Sequence, residues 1–234
     1  LMLFAPFFGS TVIPPRVKAG LVVALTFLLL PAVGRTLGPV SLATWPLMAF
    51  REFLIGAGMG IATNLVFDAT ELAGQVVGIQ MGYSLVNLLD PQTQVDTTVV
   101  SVFYQSIVML LFLRMDVHYW LLSAIGDSFL YVPPTAAHLS GLFTLAVVTT
   151  GGRVFGLGVR IAAPVLAATI VADILLGLLG KASAQLPLML LGPAVKSLLG
   201  VLILIATLRY WPDLFHTLFE NTLENGVSIL HLAR

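Results

Sequence analysis

Charged residues are scarce in this chain of 234 residues, making up only 9% of it. Soluble globular proteins carry about 25% charged residues. Hydrophobic residues account for 58%, and the mean hydropathy is +1.01. So few polar side chains cannot cover a surface exposed to water, and the composition therefore predicts an integral membrane protein. The formal net charge of +0 also argues against nucleic acid as a partner, because phosphate binding needs clustered Lys and Arg.

Cysteine is absent, which excludes disulfides, thiolate metal sites and Cys nucleophiles. The four histidines do not have the spacing of metal ligands. The sequence also lacks a phosphate-binding loop with its Lys-Ser/Thr, a Gly-x-Ser-x-Gly elbow and a His-Glu-x-x-His motif. We therefore expect no catalytic residues, no cofactor and no metal.

The chain opens on an apolar stretch that Ser10 and Pro14–Pro15 end. This stretch is shorter than the roughly 20 residues that a spanning helix needs. It also lacks the basic beginning of a signal peptide. We expect that the first helix has lost its start in this sequence.

Long apolar segments separated by prolines, glycines and short polar runs predict an all-α, polytopic membrane protein of long, kinked helical hairpins. Residues 1–211 are expected to form the membrane-embedded domain, with Pro31 ending or kinking one helix and Pro164 kinking another. Residues 212–234 have the pattern of an amphipathic helix within the same domain. Because its polar face is mainly acidic, we expect its apolar face to dock on protein rather than on lipid.

The segment from Trp45 to Leu89 is apolar for longer than one span requires. Charges interrupt it only at Arg51–Glu52 and at Asp68 and Glu71, which predicts either two helices that break near Asp68 or one very long helix. Charges inside a membrane are costly and often functional. Arg51, Glu52 and Glu71 are therefore candidates for a polar pore or a subunit interface, although a solvated helix break would also explain them.

Glycines recur every four residues at Gly74, Gly78 and Gly82. On a helix they form one smooth stripe, which lets another backbone approach closely. Polar residues fall on roughly the opposite face, and an Asp-Pro pair is expected to end the helix. Those polar residues are Gln80, Ser84 and Asn87, and the pair is Asp90–Pro91. The stripe predicts helix packing, whereas the polar face predicts contact with water or polar partners.

This region carries a family resemblance through the pattern Glu71-x-x-Gly74-Gln75-x-x-Gly78-x-Gln80-Met81-Gly82-x-Ser84, closed by Asp90–Pro91. It resembles the FliR/SctT family of type III secretion export-gate subunits. Further matches follow in family order from Pro6 to about Trp211. The chain departs from the family pattern at Val117, where glycine is usual, and at Pro187, where asparagine is usual.

The resemblance implies a subunit of the flagellar protein export gate in the bacterial inner membrane, at the flagellar basal body. It implies assembly with FliP, FliQ and FlhB homologues and passage of unfolded flagellar proteins. It also implies a pore and plug stretch running from Met81 to Thr97. The pore and plug residues are Met81, Gly82, Tyr83, Ser84, Asn87, Asp90, Pro91, Gln92, Thr93, Gln94, Val95, Asp96 and Thr97. Gln75 and Gln80 join Arg51, Glu52 and Glu71 as further polar pore or interface candidates.

Two alternatives remain open at this point. The first is the homologous subunit of a virulence secretion system, or injectisome. The second is an ion-coupled secondary transporter that would use acids such as Asp68, Glu71 or Asp173 inside the membrane.

Overall fold

A computed structural model describes residues 6, 9, 13–34, 43, 45–83, 97–132, 141–182 and 188–232. Within these residues the chain forms seven helices and no strand, which confirms the all-α prediction. The helices are α1 (Pro15–Val33), α2 (Trp45–Gln80), α3 (Val99–Arg114), α4 (Val117–Tyr131), α5 (Gly141–Ala182), α6 (Leu188–Leu208) and α7 (Trp211–Leu232).

Three of the described helices contain stretches long and apolar enough to cross a membrane: α2, α5 and α6. The helices α3 and α4 meet at a 64° bend and would provide a fourth span if they cross together. Asp116 lies at this bend with a φ of 56°, a left-handed conformation that stops α3 from continuing into α4. The polytopic membrane class predicted from composition is confirmed.

The chain divides into two compact units. The first comprises Leu1–Val66, Phe112–Arg153 and Thr217–Arg234, and the second comprises Phe67–Leu111 and Val154–His216. Four helices, α2, α3, α5 and α7, contribute residues to both units.

The first unit is organised around apolar side chains from the beginning of α2. Ile55, Met59 and Ala62 lie one helical turn apart and form a buried cluster with Val132. Phe112 of α3 and Phe219 of α7 also stack edge to face, with ring centroids 5.8 Å apart. This packing arises from the shape of apolar side chains.

The second unit buries one face of the remaining part of α2. Ala69, Ala73 and Val77 repeat every four residues and are inaccessible to solvent. Tyr104 of α3 stacks edge to face on Trp211 of α7, with centroids 4.8 Å apart. Because its buried positions are mostly small, α2 can lie close to its neighbours in this unit.

The structure decides between the two predictions for the long apolar segment. A single helix runs from Trp45 to Gln80, with Arg51, Glu52, Asp68 and Glu71 all inside it. The predicted break near Asp68 and the solvated break at Arg51–Glu52 are therefore wrong. An unbroken helix satisfies every backbone group internally, and this outweighs a few charged side chains in an apolar setting.

Three prolines lie inside described helices and do not end them. Pro31 lies inside α1, Pro164 inside α5 and Pro193 inside α6. Pro193 lies in the second turn of α6, which begins at Leu188. Pro removes one backbone hydrogen bond, and in an apolar environment breaking the helix would leave more groups unsatisfied.

Candidate functional site

The candidate site is the end of α2 and the helix surfaces of the second unit that it contacts. Gly74 and Gly78 face the beginning of α3. A Cβ atom on Gly74 would overlap the backbone of Ser101, and one on Gly78 would overlap the side chain of Thr98. Glycine at both positions is therefore required for this approach of the two helices.

Two hydroxyl groups of the α3 region use this close approach to bond to α2. The Thr98 Oγ1 donates to the carbonyl of Gly74, and the Ser101 Oγ donates to the carbonyl of Glu71, both at 3.2 Å. The Thr98 Oγ1 also accepts the backbone N–H of Ser101 at 3.2 Å, which caps the first turn of α3. The small-residue face of α2 is therefore joined to α3 by both packing and hydrogen bonds.

Gly82 has a different role from the two glycines before it. Its φ is +91°, a left-handed conformation that glycine adopts without strain. The backbone N–H of Gly82 donates to Ile79, and that of Tyr83 donates to Gly78, both at 3.0 Å. This is the pattern of a glycine-capped helix end. The expectation of one helical stripe through Gly82 that continues to Asp90 is therefore wrong, because α2 ends at Gln80.

The end of α2 lies on one face of α6, made by Pro193, Lys196, Ser197 and Gly200. These residues have the spacing i, i+3, i+4 and i+7, which places them on one side of a helix. A Cβ on Gly82 would lie 3.0 Å from the Cβ of Pro193, and one on Gly200 would lie 2.7 Å from the sulfur of Met81. We call this surface the α6 contact face.

Polar contacts also connect the end of α2 to α5 and α6. The Gln80 Nε2 donates to the Asp173 Oδ2 at 2.9 Å, and the Lys196 Nζ pairs with the Asp173 Oδ1 at 3.0 Å. Tyr83 and Ser197 share a hydrogen bond of 2.9 Å between their hydroxyl oxygens. Asp173 lies on α5, so its carboxylate joins α2, α5 and α6.

The other predicted site residues are distributed as follows. Gln75 donates to the Glu71 side chain one turn earlier on α2, at 3.2 Å. Arg51 and Glu52 belong to the first compact unit, whereas Glu71, Gln75 and Gln80 belong to the second. One carboxylate oxygen of Glu52 is buried without a hydrogen-bond partner among the described residues.

The described residues include the two ends of the predicted plug stretch. Met81, Gly82 and Tyr83 at its start and Thr97 at its end are described. The predicted residues that lie outside the described part of the chain are Ser84, Asn87, Asp90, Pro91, Gln92, Thr93, Gln94, Val95 and Asp96.

Several members of this site were not predicted as site residues from the sequence, among them Asp173, its partner Lys196, and Ser197. From the sequence, Asp173 is a candidate only as an ion-coupling acid of a transporter. Within the described residues, no group of three or more His, Asp or Glu side chains could hold a metal ion. The side chains of this site can position helices and form hydrogen bonds with polar partners.

Comparison with known proteins gives a family match over nearly the whole chain. The model of the family described as "Bacterial export proteins, family 1" matches residues 1–222. The chain is similar to flagellar biosynthetic proteins FliR from several bacteria. It is 30% identical to that of Pectobacterium carotovorum subsp. carotovorum over 226 residues, which is 97% of this chain and 87% of the relative.

Two further relatives align over the same share of this chain. The FliR protein of Escherichia coli strain K12 is 29% identical over 97% of this chain and 88% of its own length. That of Bacillus subtilis strain 168 is 25% identical over 97% of this chain and 89% of its own length. The similarity therefore includes the end of α2, α5 and α6.

Proposed function

Because this chain belongs to family 1 of the bacterial export proteins, we propose that it is the FliR-type subunit of a flagellar type III export gate. In this role it forms part of the channel through which unfolded flagellar proteins cross the inner membrane. The observation that carries the proposal is the match over residues 1–222, together with relatives that align over 97% of the chain. The all-helical fold with three or four candidate spans agrees with it.

The proposal gives the chain a structural role in transport. It supplies part of a channel wall and has no catalytic residues, so the energy for export comes from other components. Its proposed partners are the FliP, FliQ and FlhB homologues of the same cell, at the flagellar basal body. An injectisome subunit is less well supported, since the relatives described above are flagellar biosynthetic proteins.

Purification from native membranes tests this assignment. The chain should be tagged at its C-terminus and extracted in a mild detergent, and the proteins that come with it should be identified by mass spectrometry. We expect small, apolar membrane subunits of the flagellar export apparatus in a constant ratio to the chain. A stable chain recovered alone would contradict the proposal, and recovery with injectisome subunits would support the virulence alternative.

The ion-coupled transporter makes a different prediction. Neutralising Asp68 or Glu71 would abolish transport if either residue carried an ion. In an export gate, Asp68→Asn and Glu71→Gln should leave secretion of flagellar proteins largely intact once the complex has assembled. Loss of secretion from a fully assembled complex would favour ion coupling.

We also propose that the stretch from Met81 to Thr97 helps to close the channel. The family resemblance supports this role, and so does the position of Met81 and Tyr83, which the α6 contact face holds at the start of the stretch. Deleting Asp90 to Thr97 should make the assembled gate permeable to ions. The matched control replaces these residues by a Gly/Ser segment of the same length, which separates loss of length from loss of side chains. An assembled deletion variant that stays impermeable would contradict the closing role.

A further inference from the structure

The polar contacts at the end of α2 involve charges that lie inside apolar helices. Asp173 and Lys196 both fall within candidate membrane spans, residues 144–182 and 191–208. A charge in such a place is costly unless it is paired. The 3.0 Å ion pair between them satisfies this need, and it would join α5 to α6 without any help from α2.

Gln80 adds a third helix to the pair. Its amide donates to the carboxylate oxygen that Lys196 leaves available, so each oxygen of Asp173 has its own donor. Gln80 is the last residue of α2, and the glycine-capped end follows it directly. The carboxylate of Asp173 therefore contributes to fixing the point at which the chain leaves α2.

We propose that Asp173 is a positioning residue of the gate, whose carboxylate joins Gln80 to Lys196 and holds the end of α2 on α6 while the channel is closed. Two other contacts on the α6 contact face also hold the end of α2 on α6. Tyr83 shares a hydrogen bond with Ser197, and Met81 packs on Gly200. This inference rests on the proposed closing role of the stretch that begins at Met81.

The ion pair between Asp173 and Lys196 must also be able to separate when the channel opens. The side chains of Lys196 and Asp173 are 20% and 45% exposed, so the pair is not enclosed by the chain. An ion pair that the chain does not enclose can gain other polar partners as it separates, which lowers the cost of opening. Loss of one charge-assisted hydrogen bond corresponds to a change of about tenfold in the balance between two states.

The test measures ion leakage through the purified, assembled complex in planar bilayers. Asp173→Asn and Lys196→Met should each raise the open fraction about tenfold. The double variant Asp173→Lys with Lys196→Asp restores the opposite charges, and the Gln80 amide can turn its oxygen toward the ammonium group. Leakage should therefore return toward that of the unmodified gate. Gln80→Leu keeps the ion pair but removes the link to α2, and it should also leak.

Gln80→Leu separates positioning from simple packing of α5 on α6. If the ion pair only joined α5 to α6, Gln80→Leu would stay impermeable, and this result would overturn the inference. Asp127→Asn is the matched control, because it also removes one carboxylate from an apolar helix but lies on α4. It should leave leakage unchanged.

Assembly is measured for each variant by the amount of complex recovered. If Asp173→Asn prevents assembly, the assembled Gln80→Leu complex decides the question in the same way. Assembled Asp173→Asn and Gln80→Leu gates that remain impermeable would overturn the inference. If they remain impermeable while deletion of Asp90 to Thr97 leaks, the positioning role fails and the closing role stands. If the deletion is also impermeable, the closing role fails as well.

Discussion

The first half of α2, from Trp45 to Val66, has buried glycines of its own, Gly58 and Gly60, but it contributes large apolar side chains to a cluster. The second half is joined to α3 through glycines and hydrogen bonds. Met59 and Ile55 fill a buried cluster in the first half. Gly74 and Gly78 in the second half bring α3 into backbone contact. Both halves are equally part of one continuous apolar helix, so hydropathy alone does not distinguish them.

Hydroxyl groups show the same difference. In the first half, the Thr63 Oγ1 donates to the carbonyl of Met59 on its own helix, at 2.8 Å. In the second half, the hydroxyls of Thr98 and Ser101 donate to carbonyls of another helix. Packing by apolar side chains tolerates small changes in helix position, whereas backbone contact with hydrogen bonds between helices fixes the distance. The second half is therefore suited to hold the end of α2, where the chain leaves the helix, at a fixed position.

The largest effect is expected where the second half has no room for a side chain. Gly74→Ala places a Cβ on the backbone of Ser101, so the two helices must separate and lose their hydrogen bonds. We expect a loss of about 3 kcal/mol in the free energy of unfolding, measured in mild detergent. Gly177→Ala on α5, where a Cβ meets no atom within 4 Å, is the control and should be neutral or slightly stabilising. Equal losses in both variants would contradict the requirement for glycine at the contact of α2 with α3.

A cavity in the first half should cost somewhat less. Met59→Ala removes a side chain that is 6% exposed, and the neighbouring small residues can move partly into the space. The expected loss is about 2 kcal/mol in the same assay. Met59→Leu, which nearly conserves volume, should recover most of it. If Met59→Leu were as damaging as Met59→Ala, the first half would depend on exact shape in the way that the second half does.

The helix end should be sensitive to the left-handed conformation of Gly82. Gly82→Ala must adopt a φ near +91° beside Pro193, which costs about 1 kcal/mol. Gly82→Asn tolerates this region better and should lose less stability. Ion leakage through the assembled complex is the second measurement, because the cap sets the direction in which the chain leaves α2. Gly82→Ala without any loss of stability would contradict the capping role.

The smallest effect is expected for a single hydrogen bond between helices. Ser101→Ala removes the donor to the carbonyl of Glu71 but keeps the backbone contact. Bonds of this kind average about 0.6 kcal/mol in membrane proteins. Ser106→Ala, which removes a bond within α3 to Val102, is the matched control. If Ser101→Ala lowered the free energy of unfolding no more than Ser106→Ala, glycine packing alone would hold α2 against α3.

The sequence was sufficient to predict the class of fold and several of its elements. The shortage of charge predicted a polytopic α-helical membrane protein, and the helical repeat after Pro212 predicted α7, which begins at Trp211. Pro31 and Pro164 lie inside helices, as kinking prolines do, whereas the break expected as one alternative near Asp68 is absent from α2. A rule from soluble proteins overestimates breaks where an exposed backbone group has no water to bond.

The roles of individual residues at the site were harder to predict. A spacing of four residues groups Gly82 with Gly74 and Gly78, and only the backbone conformation shows that Gly82 caps the helix. The contact of Asp173 with Lys196 did leave a signal. At 1.5 Å per residue, Asp173 lies about 13.5 Å from the end of α5 and Lys196 lies about 12 Å from the beginning of α6. Two opposite charges at nearly the same depth in consecutive apolar helices indicate a pair. The bond to Gln80 left no such signal, because α2 is distant in sequence.

Secretion by a strain that lacks this chain tests the central claim most directly. An in-frame deletion of its gene should leave other secretion intact but abolish the release of flagellar subunit proteins into the medium, and the unmodified chain supplied in trans should restore it. If the deletion strain released flagellar proteins and swam at the normal rate, the chain would not be a subunit of the flagellar export gate.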